Sequence, residues 1–285
     1  MTDPTSSSGL ATARPPFSTL YFGKSDPIIE ARTNASDFIR SYVDLNGAVG
    51  LVIKGERTLI LGPKGTGKSA LALYLEKTSG LDSGHFAQLR SAASLPLADI
   101  PQLKTGQPRG LARTQNAWRF ILLANYLDVV LQDRSVKVAG IQTIRRILKI
   151  MREFGFMGDD SGKSLLQLAG KSFSLAREDL GSIFKNESAE RLDIFKLVPY
   201  MEDWACSISS NHRHLLLLDG LDSIFLNDPE YDESLSGLAQ AAYLLNSRLA
   251  NASATGSIVL LLRNEIFSRI SLILPDAHKM RDVAF

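Results

Sequence analysis

With a single cysteine, Cys206, the chain of 285 residues cannot build an internal disulfide framework. A reducing, cytoplasmic setting is expected, and "EDWACSI" reads as core packing, where a free thiol behaves as a small hydrophobe. Long apolar runs are missing too: none reaches about 18 residues, so no membrane span is expected. The opening "MTDPTSSSGLATARPPFSTL" lacks a basic-then-apolar secretory pattern, and its first part, residues 1–16, reads as a disordered lead-in. Without secretion, the sequons at Asn34, Asn186 and Asn251 read as chance matches. Nor is there an excess of one charge: 32 basic against 30 acidic residues leave +2, so any nucleic-acid surface must be local. What the chain does have is 45% hydrophobic residues, enough for one large domain or two small ones with a real core.

Periodicity orders the remainder. "DPIIEARTNASDFIRSYV" (26–43) reads as helical, with Ile28, Ile29, Phe38, Ile39 and Val43 as apolar positions. "RTLILG" (57–62) is a short apolar strand, and "GKSALALYLEKTSG" a helix closed by Ser79 and Gly80. "GHFAQLRS" reads as a second strand, and 95–110, rich in proline and glycine, as a linker. Two helices follow, "TQNAWRFILLANYLDVVLQD" and "GIQTIRRILKIMREFGF", the latter with Ile144, Ile147, Leu148, Met151 and Phe154 on one stripe. Residues 156–188 are polar and irregular. "AERLDIFKLVPYMEDWACSI" resumes helix with a break at Pro199. "HRHLLLLDGLD" is a strand buried on both faces, and "GSIVLLLRNEIF" another. Between them, "ESLSGLAQAAYLLNSRLANA" sets Leu235, Leu238, Ala242, Leu245 and Leu249 on one helix face. The order implies an α/β fold with a parallel sheet. Its halves span 17–95 and 213–285, and 96–212 form a helical insertion.

Gly62-Pro63-Lys64-Gly65-Thr66-Gly67-Lys68-Ser69 fits G-x-x-x-x-G-K-[ST] at every position, between an apolar strand and a helix that continues through Ala70. Glycines let successive amides curl inward on phosphate oxygens, and the helix start adds its dipole. Lys68 supplies positive charge at the β- and γ-phosphates, and Ser69 an oxygen ligand for Mg²⁺. The complement is an acid ending a neighbouring buried strand, and Asp219 in "LLLLDGLD" is expected to hold Mg²⁺. Where many such ATPases carry a water-polarising Glu after this Asp, the chain has Gly220. Asp222 is the nearest carboxylate that could serve as base, or it bonds locally and hydrolysis is slow or absent. Arg263 and Asn264, just past the next strand, are candidate γ-phosphate sensors.

Together these elements resemble the P-loop ATPases with an additional strand between Walker A and Walker B, and within them the STAND-like and origin-recognition-like AAA ATPases. The opening "YFGKSDPIIEAR" also resembles the FG-x-S-D start of a group of uncharacterised bacterial P-loop ATPases. The likeness covers about 17–90 and 213–285, not the helical block. It implies a three-layer sandwich with strand order 5-1-4-3-2, and base contacts from Phe22 and Gly23. It also implies a lid domain after a fifth strand that "RDVAF" would begin. On that ground the chain is expected to be a fragment, with a natural short form as the rival.

GTP is disfavoured, because the motif is DGLD rather than D-x-x-G and no N-K-x-D follows; a small-molecule kinase would need an acceptor pocket that the sequence does not reveal. Arg145, Arg146, Lys149 and Arg152, with Arg109, Arg113 and Arg119 near Trp118 and Phe120, could contact DNA or RNA. A charged helix face is more commonly just solvated, and the aromatics more commonly core. His212-x-His214 lacks further ligands at zinc spacing and reads as strand-entry polarity. The expected function is ATP–Mg²⁺ binding with ATP hydrolysis, serving a regulatory switch in bacterial defence or signalling that acts on a homo-oligomer or an effector protein. The alternatives are a nucleic-acid-dependent ATPase or loader, and a non-hydrolysing nucleotide-binding scaffold.

Overall fold

Alternation along the leucine strand fixes the architecture. In the computed structural model, which describes residues 23–44, 46–92, 95, 111–153, 197–221 and 229–285, four strands form one all-parallel sheet. They are β1 (Leu59–Leu61), β2 (His85–Ser91), β3 (Arg213–Asp219) and β4 (Gly256–Leu262), in the order β1-β4-β3-β2. Along β3, Leu215 and Leu217 join one core, Leu216 and Leu218 the other, all at most 1% exposed. Each contributes roughly 1.5–3 kcal/mol by burial. β4 divides in the same way, Val259 and Leu261 against Ile258, Leu260 and Leu262. Both sheet faces therefore need helical cover, as parallel sheets do.

One face is covered by α3 (Ala48–Lys54) and α4 (Lys68–Lys77), with α1 (Pro27–Thr33) and α2 (Ala35–Ser41) packed beside α4. The other carries α5 (Leu111–Val130), α6 (Ile141–Glu153), α7 (Val198–Ser207), α8 (Pro229–Asn251) and α9 (Asn264–Ile270). After α10 (Ala277–Asp282) the chain returns to the outer edge of β1. There Ala284 forms a parallel bridge with Leu59, and Phe285 N donates to Leu59 O at 2.8 Å. At the opposite edge, Ser79 Oγ and Glu76 Oε1 accept from the Ala87 and Leu89 amides of β2. These side chains cover donors that an edge strand would otherwise present to another chain.

The stretch 26–43 is helical, as expected, and divides into two helices. Asn34 ends α1 through its N–H to Glu30 O, and its side chain accepts from Asp37 N to start α2. Local side-chain bonding of this kind competes with helix continuation. α3 was not anticipated: Asp44 starts it by accepting from Ala48 N and Val49 N, and Gly55 ends it in the left-handed region. Pro199 sits in the first turn of α7, where its missing N–H costs nothing, and the earlier part of the expected helix, 189–196, lies outside the described residues. Cys206 is half-buried and packs against the core, as expected, with its thiol directed to the Arg248 carbonyl. Phe154, residues 156–188 and 96–110 lie outside the described residues.

Buried ion pairs fasten the helical block to the sheet. Arg90 of β2 donates to Asn125 Oδ1 (3.2 Å) and Asp128 Oδ2 (3.1 Å), and Asp128 also pairs with Arg152. Glu202, 2% exposed, holds Arg119 and Arg248. Two cations of the candidate nucleic-acid surface, Arg119 and Arg152, are thus engaged by carboxylates within the fold. Trp118 and Phe120 are core, as expected.

At the N-terminal rim of the strands, Asp133 ties the α5–α6 connection to β3. Its Oδ2 accepts from Ser210 Oγ (2.6 Å), and His212 Nδ1 (3.0 Å) and His214 Nε2 (3.1 Å) lie against it. Its Oδ1 accepts from Ser135 N and Oγ. Burial alone raises the Asp133 pKa, but the hydrogen bonds from Ser210, Ser135 and His212 outweigh it and hold the carboxyl far below the usual range. Burial pushes His214 down, only partly opposed by its bond to Asp133. Both shifts have the same sign for stability. Below pH ~6.5 the unfolded chain takes up a proton on His214 that the folded chain resists. Below pH ~3.9 it protonates Asp133 while the folded state does not. Urea midpoints are therefore expected to fall as pH drops through 6.5 and more steeply below 4. The upper part of that slope should be missing in His214→Gln; an unchanged slope in that variant would contradict the assignment.

A tighter contact lies where α5 crosses β4. A Cβ on Gly256 would come within 2.0 Å of the Tyr126 hydroxyl, which is fully buried and has no hydrogen-bond partner among the described residues. Gly256→Ala is expected to lower stability by about 1–3 kcal/mol. Tyr126→Phe, which removes an unsatisfied polar group, should be neutral or stabilising in the same denaturation assay.

Candidate functional site

Because every strand runs the same way, the segments that leave β1, β3 and β4 emerge on one rim. The loop after β1 shows why its sequence is glycine-rich. A side chain at Gly62 would meet Thr66 Oγ1 at 2.7 Å, and Gly65 and Gly67 have φ of 85° and 88°, which L side chains rarely adopt. Gly67 is the N-cap of α4, so the helix begins at Lys68 with its dipole and first-turn amides directed at the loop. Thr66 Oγ1 donates to Pro63 O at 2.9 Å and closes the curl. Lys68 Nζ donates to the carbonyls of Gly62 and Pro63, both at 2.8 Å. The ammonium is thus held over the loop by oxygens that a more negative ligand can outcompete.

A cleft of about 690 Å³ opens over this loop, within the range of small-molecule sites. It is lined by Lys64, Gly65, Gly67, Lys68, Ser69 and Ala70 from the loop and α4, by Asp219 and Gly220 from the end of β3, and by Arg263 from the end of β4. Asp219 Oδ1 accepts from Gly220 N at 2.7 Å. Three cations, Lys64, Lys68 and Arg263, therefore line the same cleft as the Asp219 carboxylate. Such an arrangement can hold a polyanion, and the oxygens of Ser69 and Asp219 on the same cleft fit a hard divalent cation.

The opposite wall was not legible as a site. It is formed by Lys24, Ser25, Asp26, Pro27, Ile28 and Glu30 around α1, and by Phe38, Ser41, Tyr42 and Val43 around α2. Tyr42 stacks on Tyr74 of α4 with ring centroids 4.2 Å apart. Burial, and then the Asp44 charge, push its phenol up to about 12, so it stays a neutral aromatic. Phe38 and Tyr42 stand four residues apart on one helical face; that spacing was the available signal, but it reads equally as core.

The candidate residues fall into three groups. Lys64, Gly65, Gly67, Lys68, Ser69, Ala70, Asp219 and Arg263 meet at the cleft, and Gly62, Pro63 and Thr66 shape the same loop. Asn264 is exposed and opens α9, while Gly23 abuts the Glu30 carboxylate. Phe22 and Asp222 lie outside the described residues. Among the described residues no group of His, Cys, Asp and Glu forms a metal centre, and no helix is long and apolar enough to cross a membrane. Comparison with family models, curated proteins and solved structures returned no match for the chain.

Gly220 has φ 75°. Gly220→Glu, which would restore an acid beside Asp219, is therefore expected to cost about 1–2 kcal/mol in chemical denaturation. A variant as stable as the parent would show that the turn tolerates a side chain.

Proposed function

We propose that the chain binds ATP with Mg²⁺ and hydrolyses it slowly, as a nucleotide-dependent switch. The observation that carries the reading is the convergence of the 62–69 loop, Asp219 and Arg263 on one cleft of nucleotide size. The loop amides and the α4 dipole would hold the phosphates, and Lys68 would turn from its backbone carbonyls to the β- and γ-oxygens. Ser69 and Asp219 would hold Mg²⁺, which when bound neutralises phosphate charge. Arg263, at the end of β4, would report the γ-phosphate, and Asp222 would orient the attacking water.

Resemblance to STAND-like and origin-recognition-like AAA ATPases supports this reading. So does the sheet: its order matches four places of 5-1-4-3-2, and the Ala284–Leu59 bridge lies where the fifth strand would pair. Slow turnover is favoured because Gly220 stands where a catalytic acid would otherwise follow Asp219. The nucleotide state would then be read by a second copy or an effector protein, in a bacterial defence or signalling setting.

Mg·ATP binding and turnover of the whole chain test this reading, beside Lys68→Ala, Asp219→Asn and Asp222→Ala. Lys68→Ala is expected to bind at least about 30-fold more weakly. Asp219→Asn should lose the Mg²⁺ dependence of binding, and Asp222→Ala should bind normally but not turn over. Absence of ATP binding by the folded wild type would overturn the proposal. Salt-sensitive stimulation of turnover by DNA would replace the switch with a nucleic-acid-dependent ATPase.

A further inference from the structure

We infer that Glu30 reads the nucleoside end of the ligand, its carboxylate accepting hydrogen bonds from paired donors on the sugar or the base. The inference rests on the triphosphate reading above. With a phosphate chain seated on the 62–69 loop, the α1–α2 wall is the part of the cleft lining left for the remainder of a nucleotide. That wall offers Ile28, Phe38 and Tyr42 as apolar surface, and within it one nine-tenths-buried carboxylate, Glu30, at 7% exposure.

An ionised carboxylate has about four acceptor positions. Among the described residues it receives one hydrogen bond, from Lys24 N to Oε2 at a long 3.3 Å. The nearby Lys24 ammonium is turned away, to Thr33 Oγ1 at 3.1 Å. Behind the carboxylate the chain bends through Gly23, at φ 75°; a Cβ there would stand 3.2 Å from Oε1. That packing fixes the group on one side. By contrast, Asp26 is exposed and its Oδ1 is occupied capping α1 through Ile28 N.

Burying a carboxylate with so few donors is costly, and the cost is recovered only when donors arrive. A carboxylate cannot itself donate, so it selects a donor edge against an acceptor edge. A nucleoside presents such donors in two places, the 2′,3′-diol of ribose and the exocyclic amine of the base. Either source has the same chemistry, so Glu30 is assigned as the specificity-determining acceptor of the site.

Calorimetric titration of wild type and Glu30→Gln, at fixed Mg²⁺ and salt, tests this with four probes. These are ATP, 2′-deoxy-ATP, purine riboside triphosphate (which lacks the exocyclic amine) and inorganic tripolyphosphate. Wild type should bind ATP more tightly than tripolyphosphate. It should lose affinity with 2′-deoxy-ATP if the diol is read, or with purine riboside triphosphate if the amine is read. Glu30→Gln should bind tripolyphosphate like wild type but ATP about tenfold or more weakly. ATP affinity unchanged in Glu30→Gln, or a wild type that treats all four probes alike, overturns the role of Glu30 and leaves the phosphate loop standing. A wild type that binds none of the four overturns both.

Discussion

Parallel pairing of strands buried on both faces is the constraint from which the rest of the molecule follows. A strand such as β3, with four consecutive leucines sealed from water, cannot sit on an open antiparallel surface. It needs helices above and below, and the crossovers that supply them force neighbouring strands to run the same way. That direction, not any attraction between the site residues, brings Lys68, Asp219 and Arg263 to one rim from segments far apart in the chain. The same strand carries His214 at its other end, where Asp133 anchors the helical block. Packing and chemistry are thus separated along β3: alternation serves the two cores, and only the strand ends are polar.

At the functional rim the controlling interaction is competition for Lys68. Among its bonds, its ammonium donates to two neutral carbonyls of its own loop. A phosphate oxygen carries full charge and makes a stronger, charge-assisted bond. On the proposed function, exchange would therefore favour the phosphate, and the carbonyls would keep the lysine close by and limit the entropy lost on binding. Gly65 and Gly67 would serve the same end, because positive φ lets the backbone curl without a side chain filling the loop. Of the acidic residues that line the cleft, Asp219 comes from the end of β3, and Asp26 and Glu30 come from the α1–α2 wall together with Lys24.

Strong local signals made much of this legible in the sequence. The eight-residue loop, the four leucines ending in Asp219 and the apolar stretch before Arg263 announce strand ends, and in a parallel sheet strand ends share a rim. The helix faces of Leu235 to Leu249 and of Ile144 to Met151 were equally readable, and both are buried. What failed was boundary and context. Asn34 looks like an ordinary polar residue within a helical pattern, yet its side chain starts a new helix. α3 was hidden because its apolar residues run close to those of β1 and Gly50 weakens the helical signal. Arg119 and Arg152 look like surface charge until their partners, Glu202 and Asp128, are brought in from distant segments. No local pattern encodes such pairs, because sequence separation hides the neighbour that neutralises each charge.

The α1–α2 wall was missed for a related reason, and its position has a mechanical consequence. Phe38 packs with Leu73 of α4, while Tyr42 stacks on Tyr74 of the same helix. α4 also begins at the phosphate loop, at Lys68. One ten-residue helix therefore touches both ends of the cleft, its first turn at the loop and its middle against the wall. A ligand spanning the cleft would bear on α4 from both sides, so contacts at the nucleoside end and contacts at the phosphate end are not independent. Displacing either end works against the packing of α4 on Ala48, Val52 and Leu215, which belongs to the sheet itself. If the proposed ligand spans the cleft, α4, held by the core, would be the element through which its occupancy is felt by the rest of the fold.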